Sequence, residues 1–432
     1  MLETFRNAWK VEELRKKIIY TLIMLLIYRV GSVIPTPGVN VEYIAQQVNN
    51  VSMLGMLDFI NGQNFSNFTI FAMGISPYIT SSIIMQLLCV AIPALENLQK
   101  EGEEGRKKIA QITRLVTIAL GCIMAIGIIV GLGSGAMARG AEANFFDYAL
   151  VFLSLAAGTA LTMWIGERIT ENGIGNGISL LIFVGIIASF PGQVYTGIMS
   201  VIQNPMSAWS IPLVLIGIIV LVVGIVFVDK GQRRIPVQYA KRMMGRKMYG
   251  GQSTHIPLKV NSSGVMPLIF AMSIIQFPGM IAQFWPTSGF AIWYGKMFAP
   301  TSWLYLIVYG LLIVGFTYFY SLITFNPIEM SKNLQQNGGF IPGIRPGKPT
   351  ADYLVRISGR ITLFGALFLA IIAVVPSAIL GIAGVATGFT ANGILIVVSV
   401  ALETTSQLEA QMMTCLHHHK FQALSFDSGL KY

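Results

Sequence analysis

Gly74-Ile75-Ser76-Pro77-Tyr78-Ile79 opens an apolar segment that continues to Val90, and this stretch decides how the rest of the chain is interpreted. A related stretch in the second half, Gly264-Val265-Met266-Pro267-Leu268-Ile269, repeats the glycine, the proline and the isoleucine at the same offsets. Proline in an apolar segment predicts a break in a membrane helix. Matching breaks in the two halves of a membrane protein predict a substrate path between those halves.

The composition is that of a polytopic membrane protein. Of the 432 residues, 54% are hydrophobic and 11% are charged, whereas a soluble domain carries about 25% charged residues. At about 20 residues per crossing, the pattern of apolar residues predicts ten membrane spans. These spans are expected at about 18–36, 70–94, 111–133, 148–166, 178–198, 209–228, 262–284, 303–325, 358–380 and 391–411.

Basic residues are confined to one side of this topology. All but three of the 29 Lys and Arg residues lie in or beside the loops on the side of the N-terminus, the exceptions being Arg29, Arg139 and Lys296. Because loops with many Lys and Arg residues stay in the cytoplasm, both termini are predicted to be cytoplasmic. The loops on this side are 1–17, 95–110, 167–177, 229–261, 326–357 and the tail 412–432.

The repeat extends beyond the opening stretch. Asn176-Gly177-Ile178 opens the fifth span and Asn392-Gly393-Ile394 opens the tenth, so corresponding spans are five apart. Since five is odd, the two halves are inverted in the membrane. The predicted fold class is therefore an all-α polytopic membrane protein with ten transmembrane helices in an inverted five-plus-five repeat, whose halves are 18–200 and 201–411. Residues 1–17 are predicted to form an amphipathic helix at the membrane surface.

Isoleucines form a stripe on two of the repeated spans. Ile75 and Ile79 are four residues apart, as are Ile178 and Ile182, so each pair lies on one helix face. Such a stripe can reflect helix packing or lipid contact. The spans carry almost no ionisable residues of the kind that ion-coupled transporters need, so the stripe also fits an apolar path or a gate closed by side-chain contact.

Two long basic loops and one half-length apolar segment remain. Loop 229–261 predicts a protruding hairpin with a basic tip, and Phe340–Gly347 in loop 326–357 predicts a stiff turn that presents one arginine. Either loop could be an ordinary connection or a docking surface for an anionic partner. Residues 51–68 are too short to cross, and they form either a re-entrant segment inside the protein or an external loop.

Neither enzymatic nor metal-binding motifs are evident. The three cysteines are far apart in sequence, and they have no spacing typical of a metal or redox site. His417-His418-His419 lies in the tail, which we expect to be flexible, and three adjacent histidines cannot all ligate one metal ion well. We therefore predict a protein that is not an enzyme and that uses no cofactor.

Several ordered motifs resemble the SecY family of bacterial protein-translocation channels, over about residues 10 to 410. The matching segments are 71–79 (FAMGISPYI), 100–108 (KEGEEGRKK), 174–179 (IGNGIS), 231–235 (GQRRI), 252–261 (QSTHIPLKVN) and 340–347 (FIPGIRPG). The resemblance implies an hourglass pore that is closed by a ring of aliphatic side chains and by a short plug segment. It places the lateral gate between the second and third spans and the seventh and eighth.

The implied functional residues can be assigned by position. The pore ring falls on Ile75, Ile79, Ile178, Ile182, Ile269 and Ile396. The plug corresponds to Gly55, Met56, Leu57, Asp58, Phe59 and Ile60, within the half-length segment 51–68. The docking residues for the motor ATPase SecA or for a ribosome are Arg234, Lys241, Arg246, Lys247 and Arg345. Asn61-Gly62-Gln63-Asn64 departs from the family, which is often richer in Gly and Ala there.

The resemblance implies a passive channel of the bacterial plasma membrane that translocates unfolded secretory polypeptides and releases membrane segments into lipid. SecE and SecG are the implied partner subunits, and the other implied partners are SecA, the ribosome, the preprotein with its signal peptide, and membrane lipids. The alternative from another class is a secondary transporter for a small apolar solute, because its inverted repeat would look similar.

Overall fold

The protein is almost entirely helical. The computed structural model describes residues 6, 8–50, 58, 62, 64–203, 210–239, 242–244, 247–249, 253–282, 284–285, 288–299, 302–383 and 391–427. Its helices are α1 (Glu12–Gly31), α2 (Val41–Asn50), α3 (Ser76–Ala91), α4 (Pro93–Lys100), α5 (Glu103–Leu132), α6 (Phe145–Asn172), α7 (Gly177–Gln203), α8 (Ser210–Asp229), α9 (Met266–Ala282), α10 (Gly289–Met297), α11 (Trp303–Thr324), α12 (Pro327–Gln336), α13 (Lys348–Ala383) and α14 (Ala391–Asp427).

Helices occupy all ten predicted spans, namely α1, α3, α5, α6, α7, α8, α9, α11, α13 and α14. Within the described residues, α5, α6, α11, α13 and α14 are each long and apolar enough to cross a bilayer. The pair α3–α4, bent by 99°, would be a sixth crossing, and α7, α8 and α9 contribute shorter apolar helices. The bend follows from Pro93, which has no N–H with which to continue helix α3. A count of ten spans is consistent with these elements.

Several helices continue beyond the apolar residues that predicted them. Helix α1 already begins at Glu12 and α14 runs on to Asp427, so the predicted boundaries after residues 17 and 411 fall inside helices. The boundary after residue 200 falls inside α7 in the same way. The expectation of a flexible tail is wrong for residues 412–427, whose backbone is helical. A helix satisfies its hydrogen bonds internally, so it need not end where the apolar residues end.

The basic loops meet on one face of the molecule, which we call the basic face. Leu14 of α1, Ile174 before α7 and Leu408 of α14 share one apolar cluster there. A second cluster joins Ile235 of the 229–261 loop to Ile341 of the 326–357 loop and to helix α13. The loops that the charge pattern predicted to lie on the same side are therefore neighbours in space.

The two long loops also share a sheet. Strand β1 (Gln232–Tyr239) pairs antiparallel with β4 (Ser253–Lys259), which confirms the predicted hairpin. Between them, β2 (Arg242–Met244) pairs with β3 (Lys247–Tyr249). The short strand β5 (Gly339–Phe340), from the other loop, pairs with the end of β1. The hydrophobic pattern predicted the hairpin, but the third strand comes from a distant part of the chain.

Apolar side chains cover much of the outer surface, as expected for helices in contact with lipid. On α8, Val223 is 63% exposed and Phe227 is 80% exposed, whereas Ile225 and Val228 are buried. One face of this helix therefore packs in the protein while the other faces outward. Because both faces are apolar, the sequence of this helix is hydrophobic throughout and shows no amphipathic pattern.

Helix α6 supports the irregular backbone that precedes α3. A Cβ atom on Gly158 would lie 1.9 Å from the Ile70 carbonyl oxygen, so only glycine allows this approach. One turn further on, the Thr162 hydroxyl donates a hydrogen bond of 3.3 Å to the Gly74 carbonyl oxygen. These contacts fix residues 70–74, from which the opening motif begins.

We predict that Gly158→Ala lowers the free energy of unfolding by about 1–3 kcal/mol, because the added methyl group overpacks a closed contact. Chemical denaturation in mixed micelles measures the change. Gly315→Ala in α11 is the matched control, since a Cβ atom there meets nothing within 4 Å, and it should leave stability unchanged or raise it by up to about 1 kcal/mol. Equal effects of the two substitutions would contradict the packing argument.

Candidate functional site

Each of the two repeated stretches starts a helix. Gly74 and Gly264 both have a left-handed backbone, with φ of +55° and +63°. Pro77 and Pro267 then occupy the second residue of α3 and α9. The prediction that proline interrupts a helix is therefore wrong at these positions. A residue in the first helical turn has no intrahelical partner for its N–H, so proline fits there without loss of a hydrogen bond.

These helix starts carry isoleucines into the centre of the molecule. Ile75 directly precedes α3, and Ile79 and Ile83 follow along its buried face, each at most 5% exposed. Ile269 lies in the first turn of α9 and is 6% exposed. The predicted stripe of isoleucines on α3 is thus an interior face rather than a lipid-facing one.

Helix α7 begins with a capped and closely packed turn. The Asn176 side-chain oxygen accepts hydrogen bonds from the backbone N–H groups of Ile178 at 3.1 Å and Ser179 at 3.4 Å. A Cβ atom on Gly177 would lie 2.0 Å from the Gly166 carbonyl oxygen, so α7 starts directly against α6. The cap and the close contact together fix the direction in which Ile178 is presented.

We call the six predicted ring residues the isoleucine cluster, and all six belong to the large apolar core at the centre of the protein. Five are buried within it and Ile178 is partly buried against it. They come from the start of α3 and from α7, α9 and α14, the four helices that the internal repeat singled out. A Cβ atom on Gly166 would lie 3.4 Å from Ile178 and 3.7 Å from Ile75, so these two side chains meet above the same glycine.

A polar cavity of about 390 Å³ lies between this cluster and the basic face, and Ile79, Ile178 and Ile269 are among its lining residues. An adjoining cavity of about 570 Å³ extends toward the 229–261 loop. Together we call them the vestibule. The polar side chains lining the first cavity are Ser82, Gln86, Arg114, Glu167, Thr170, Glu171, Asn176 and Ser179. Isoleucines therefore line one end of the vestibule, which we call its floor, and its walls carry polar side chains among apolar ones.

Two of the charged groups in the vestibule walls have defined partners. Arg114 Nε lies 2.8 Å from Glu167 Oε1. In the adjoining cavity, Asn261 Nδ2 donates a 2.7 Å hydrogen bond to Asp229. Sequence analysis missed these wall residues, although Ser82 and Gln86 continue the helix face of Ile79 at i+3 and i+7.

Most of the described residues of segment 51–68 are buried, on the other side of the isoleucine cluster, although Asn67 is exposed. Of the predicted plug residues, Asp58 is described and is 8% exposed; Gly55, Met56, Leu57, Phe59 and Ile60 lie outside the described residues. Phe65 and Phe68 are each 2% exposed. A Cβ atom on Gly62 would lie 2.6 Å from Gly185 of α7, one turn beyond Ile182. These contacts favour the re-entrant interpretation over the external loop.

Among the predicted docking residues, Arg234 on β1 and Arg345 are exposed on the basic face. The backbone of Lys247 lies in β3, and Lys241 and Arg246 lie outside the described residues. The turn that carries Arg345 is fixed from within, because the Thr350 hydroxyl donates a 2.8 Å hydrogen bond to the Arg345 carbonyl oxygen. The predicted turn is therefore present, and the stiff presentation of its arginine remains a prediction.

A further cavity of about 250 Å³ lies between α3, α5 and α9. Its lining is apolar and consists of Phe65, Ala72, Met73, Ser76, Leu120, Ile123, Met124, Ile128, Phe277, Met280, Ile281 and Phe284. Phe284 closes the contact between the end of α9 and α5, where a Cβ atom on Gly127 would lie 2.7 Å from its ring. The helices of the predicted lateral gate are therefore in contact around an apolar space.

Ionisable side chains avoid the centre. Of the Asp, Glu, Lys and Arg side chains that the structure describes, Asp58 alone is buried. In the same part of the chain, no group of three or more His, Cys, Asp or Glu residues is placed to hold a metal ion. The arrangement therefore consists of an apolar closure, formed by the isoleucine cluster, beneath the vestibule.

Helices that expose apolar residues to lipid and surround such a closure define a polytopic membrane protein of the channel or transporter class. The family model for SecY matches residues 69–405, well over half of the chain. The chain belongs to the SecY family. A relative from Corynebacterium glutamicum, named protein translocase subunit SecY, is 44% identical over 432 residues, with 94% of this chain and 97% of the relative covered.

Solved structures show the same fold. One described as the structure of a protein conducting channel has a TM-score of 0.67 at 21% identity and covers 93% of this chain and 94% of its own. A second, on the plug domain of SecY that stabilises the closed state, has a TM-score of 0.67 at 20% identity and covers 93% of both chains. Sec61 in a canine ribosome–channel complex has a TM-score of 0.62 at 18% identity, with 93% and 94% covered. The predicted fold class is confirmed.

We predict that Asn176→Ala lowers the free energy of unfolding by about 1 kcal/mol, because the first turn of α7 loses its side-chain cap. The apparent melting temperature in detergent measures the effect. Asn176→Ser is the control, because a serine oxygen can accept the same backbone hydrogen bonds and should retain most of the stability. If the alanine and serine variants melt together, the cap does not stabilise α7.

Proposed function

We propose that this chain is the protein-conducting subunit of a bacterial translocase, through which unfolded secretory polypeptides cross the plasma membrane. The observation that carries this proposal is that six isoleucines from four helices share one apolar core, and that three of them, Ile79, Ile178 and Ile269, line the vestibule. A polypeptide entering from the basic face would meet polar walls first and a purely aliphatic closure next.

An aliphatic closure suits a substrate of variable sequence. Isoleucine side chains offer no hydrogen-bonding groups, so a passing chain finds no strong binding site at the constriction. When no substrate is present, the same side chains contact one another and exclude water and ions from an apolar gap. Ile75, Ile79, Ile178, Ile182, Ile269 and Ile396 are therefore the proposed pore ring.

Residues of segment 51–68 are the proposed plug. The described part of the segment is buried against α7 just beyond Ile182, on the side of the ring away from the vestibule. A related SecY structure concerns a plug domain that stabilises the closed state and maintains a membrane seal. In the present chain, displacement of this segment would be the second step of opening, after separation of the ring.

Lateral release would use the contact between α3 and α5 on one side and α9 and α11 on the other. The apolar cavity of about 250 Å³ at this contact supports the proposal, since a hydrophobic segment leaving for lipid needs an apolar exit. Signal peptides and membrane segments are the proposed substrates of this route.

SecA and a translating ribosome are the proposed driving partners on the basic face. Arg234 and Arg345 are exposed there on two loops that share one sheet, and Lys241, Arg246 and Lys247 lie between these strands in the sequence. A related Sec61 channel was solved in a complex with a ribosome. SecE and SecG are the proposed small subunits, with both termini of this chain in the cytoplasm. The proposed subunit is a conduit with no catalytic activity.

A secondary transporter of a small apolar solute is the alternative with a similar inverted repeat. Transporters coupled to ions or protons need ionisable groups near the centre. Among the described Asp, Glu, Lys and Arg side chains only Asp58 is buried, and its carboxylate is bonded to backbone N–H groups. Solute uptake by vesicles that contain this chain without ATP or a soluble motor would favour the transporter.

We predict that Ile79→Cys, in a background without Cys89, Cys122 and Cys415, cross-links to a translocating polypeptide stalled in the channel. Ile79 lies on the vestibule floor, so a chain in transit has to pass it. Gel analysis of the adduct with a single-cysteine preprotein measures the contact. Leu322→Cys is the control, because Leu322 is 76% exposed on the outer side of α11. Adducts of residue 79 with lipid or another subunit alone would exclude it from the pore.

We predict that Arg345→Glu reduces SecA-driven export by more than about tenfold, because reversal of an exposed interface charge costs several kcal/mol in binding. The fold should persist, since the bond that fixes this turn goes to the Arg345 carbonyl oxygen rather than to its side chain. Export into inverted vesicles measures the effect, and Lys348→Glu at another exposed position is the control. Normal export by Arg345→Glu would refute the docking role.

A further inference from the structure

Tyr28 of α1 lies between the proposed plug and the start of the opening motif. Its side chain is 3% exposed, and its ring stacks on Phe71 with ring centroids 5.4 Å apart. The Tyr28 hydroxyl accepts a hydrogen bond of 3.3 Å from Asn64 Nδ2. Asn64 is itself 1% exposed. Two buried polar side chains, 36 positions apart in sequence, thus join the first helix to the plug segment.

Backbone hydrogen bonds hold the C-terminal end of this segment in place. The Thr69 N–H donates to the Asn64 carbonyl oxygen at 3.0 Å, and Thr36 N–H, from the chain after α1, donates to the Phe68 carbonyl oxygen at 2.9 Å. The Asp58 carboxylate accepts hydrogen bonds from the N–H groups of Phe65 at 2.9 Å and Ser66 at 2.8 Å. Asp58 is thereby bonded to the two residues that follow Asn64, and these bonds close a loop. Asn64 is therefore the side chain that links a closed loop to α1.

Gly62, which lies between Asp58 and Phe65 in the sequence, packs against α7 near the isoleucine cluster. Gly62 has φ of +69°, and a Cβ atom there would overlap the Gly185 backbone. Any movement of the loop away from Gly185 has to carry Asn64 with it, since Asn64 directly precedes the bonded residues Phe65 and Ser66. Such a movement would break the bond to Tyr28 and leave its hydroxyl in a buried site, where an unpaired polar group is costly.

We propose that Tyr28 and Asn64 form a latch that positions this segment, at Gly62 and residues 64–68, against α7 and sets how often it moves away from α7. The proposal rests on the plug role proposed above for this segment. Both residues act as positioning residues, because they hold the loop and do not contact the translocating polypeptide. The latch is specific to chains that carry the hydroxyl and the amide together.

Tyr28→Phe is the main test, since it removes the hydroxyl and keeps the ring stacked on Phe71. In the reconstituted full chain with its copurifying subunits, hydrogen–deuterium exchange at the amides of residues 64–69 reports local opening. Loss of one buried hydrogen bond should raise this exchange about five- to tenfold. Asn64→Ala should give a similar increase, and the double variant should add little to either single change, because both remove the same bond.

Tyr309→Phe is the matched control. Tyr309 is 0% exposed and, among the described residues, its hydroxyl has no hydrogen-bond partner. Removal of that hydroxyl should leave exchange at residues 64–69 unchanged. If Tyr28→Phe does not accelerate this exchange, or if Tyr309→Phe accelerates it equally, the latch is overturned.

The ion conductance of the idle channel in a planar bilayer distinguishes the latch proposal from the plug proposal. Faster exchange with a higher conductance in Tyr28→Phe supports both proposals. Faster exchange with unchanged conductance keeps the latch and overturns the sealing role of the segment. A global loss of structure is recognised by faster exchange in α13 as well, and this result would overturn the latch as a local device.

Discussion

Backbone N–H and C=O groups at membrane depth have to find hydrogen-bond partners within the protein, because lipid offers none. The chain before α3 is irregular at this depth, and the rest of the molecule is arranged around it. Thr162 donates to the Gly74 carbonyl oxygen, and the Ile70 N–H donates to the Ile34 carbonyl oxygen at 3.1 Å. Gly158 lets α6 approach closely enough to cover the same segment. Irregular backbone is tolerated here because α6 and the chain after α1 cover it.

The same constraint explains why the centre can be lined with aliphatic side chains. Because the backbone of residues 64–74 finds hydrogen-bond partners within the segment, after α1 and in α6, no polar side chain is needed at the constriction, and isoleucines can occupy it. Polar and charged groups are instead found on the vestibule walls, where pairs such as Arg114 and Glu167 border a cavity. The closure can be apolar because the protein satisfies the buried backbone, and the entrance is polar because the polar side chains lie there.

Much of the fold could be predicted from the sequence, because its signals are local. Apolar runs predicted helices at all ten spans, and alternating residues around Ile235 predicted the hairpin. The prediction failed where the effect of a residue depends on its position within a helix. Pro77 was interpreted as a break, whereas it stands in the first turn of α3, and hydropathy alone could not show that α14 continues to Asp427. Helix ends depend on caps and neighbours as well as on composition.

The sequence by itself determined the membrane class, the inverted repeat and the isoleucines at its corresponding positions, since periodicity and charge bias act along the chain. Only the tertiary structure decided that Ile75 and Ile178 meet over Gly166, that β5 completes the hairpin sheet, and that Asn64 reaches Tyr28. These contacts join residues far apart in sequence, and their partners are selected by how closely helices approach. In the sequence, a glycine that permits a close contact between elements cannot be distinguished from a glycine that has no close neighbour. Only the position of the neighbouring element distinguishes the two.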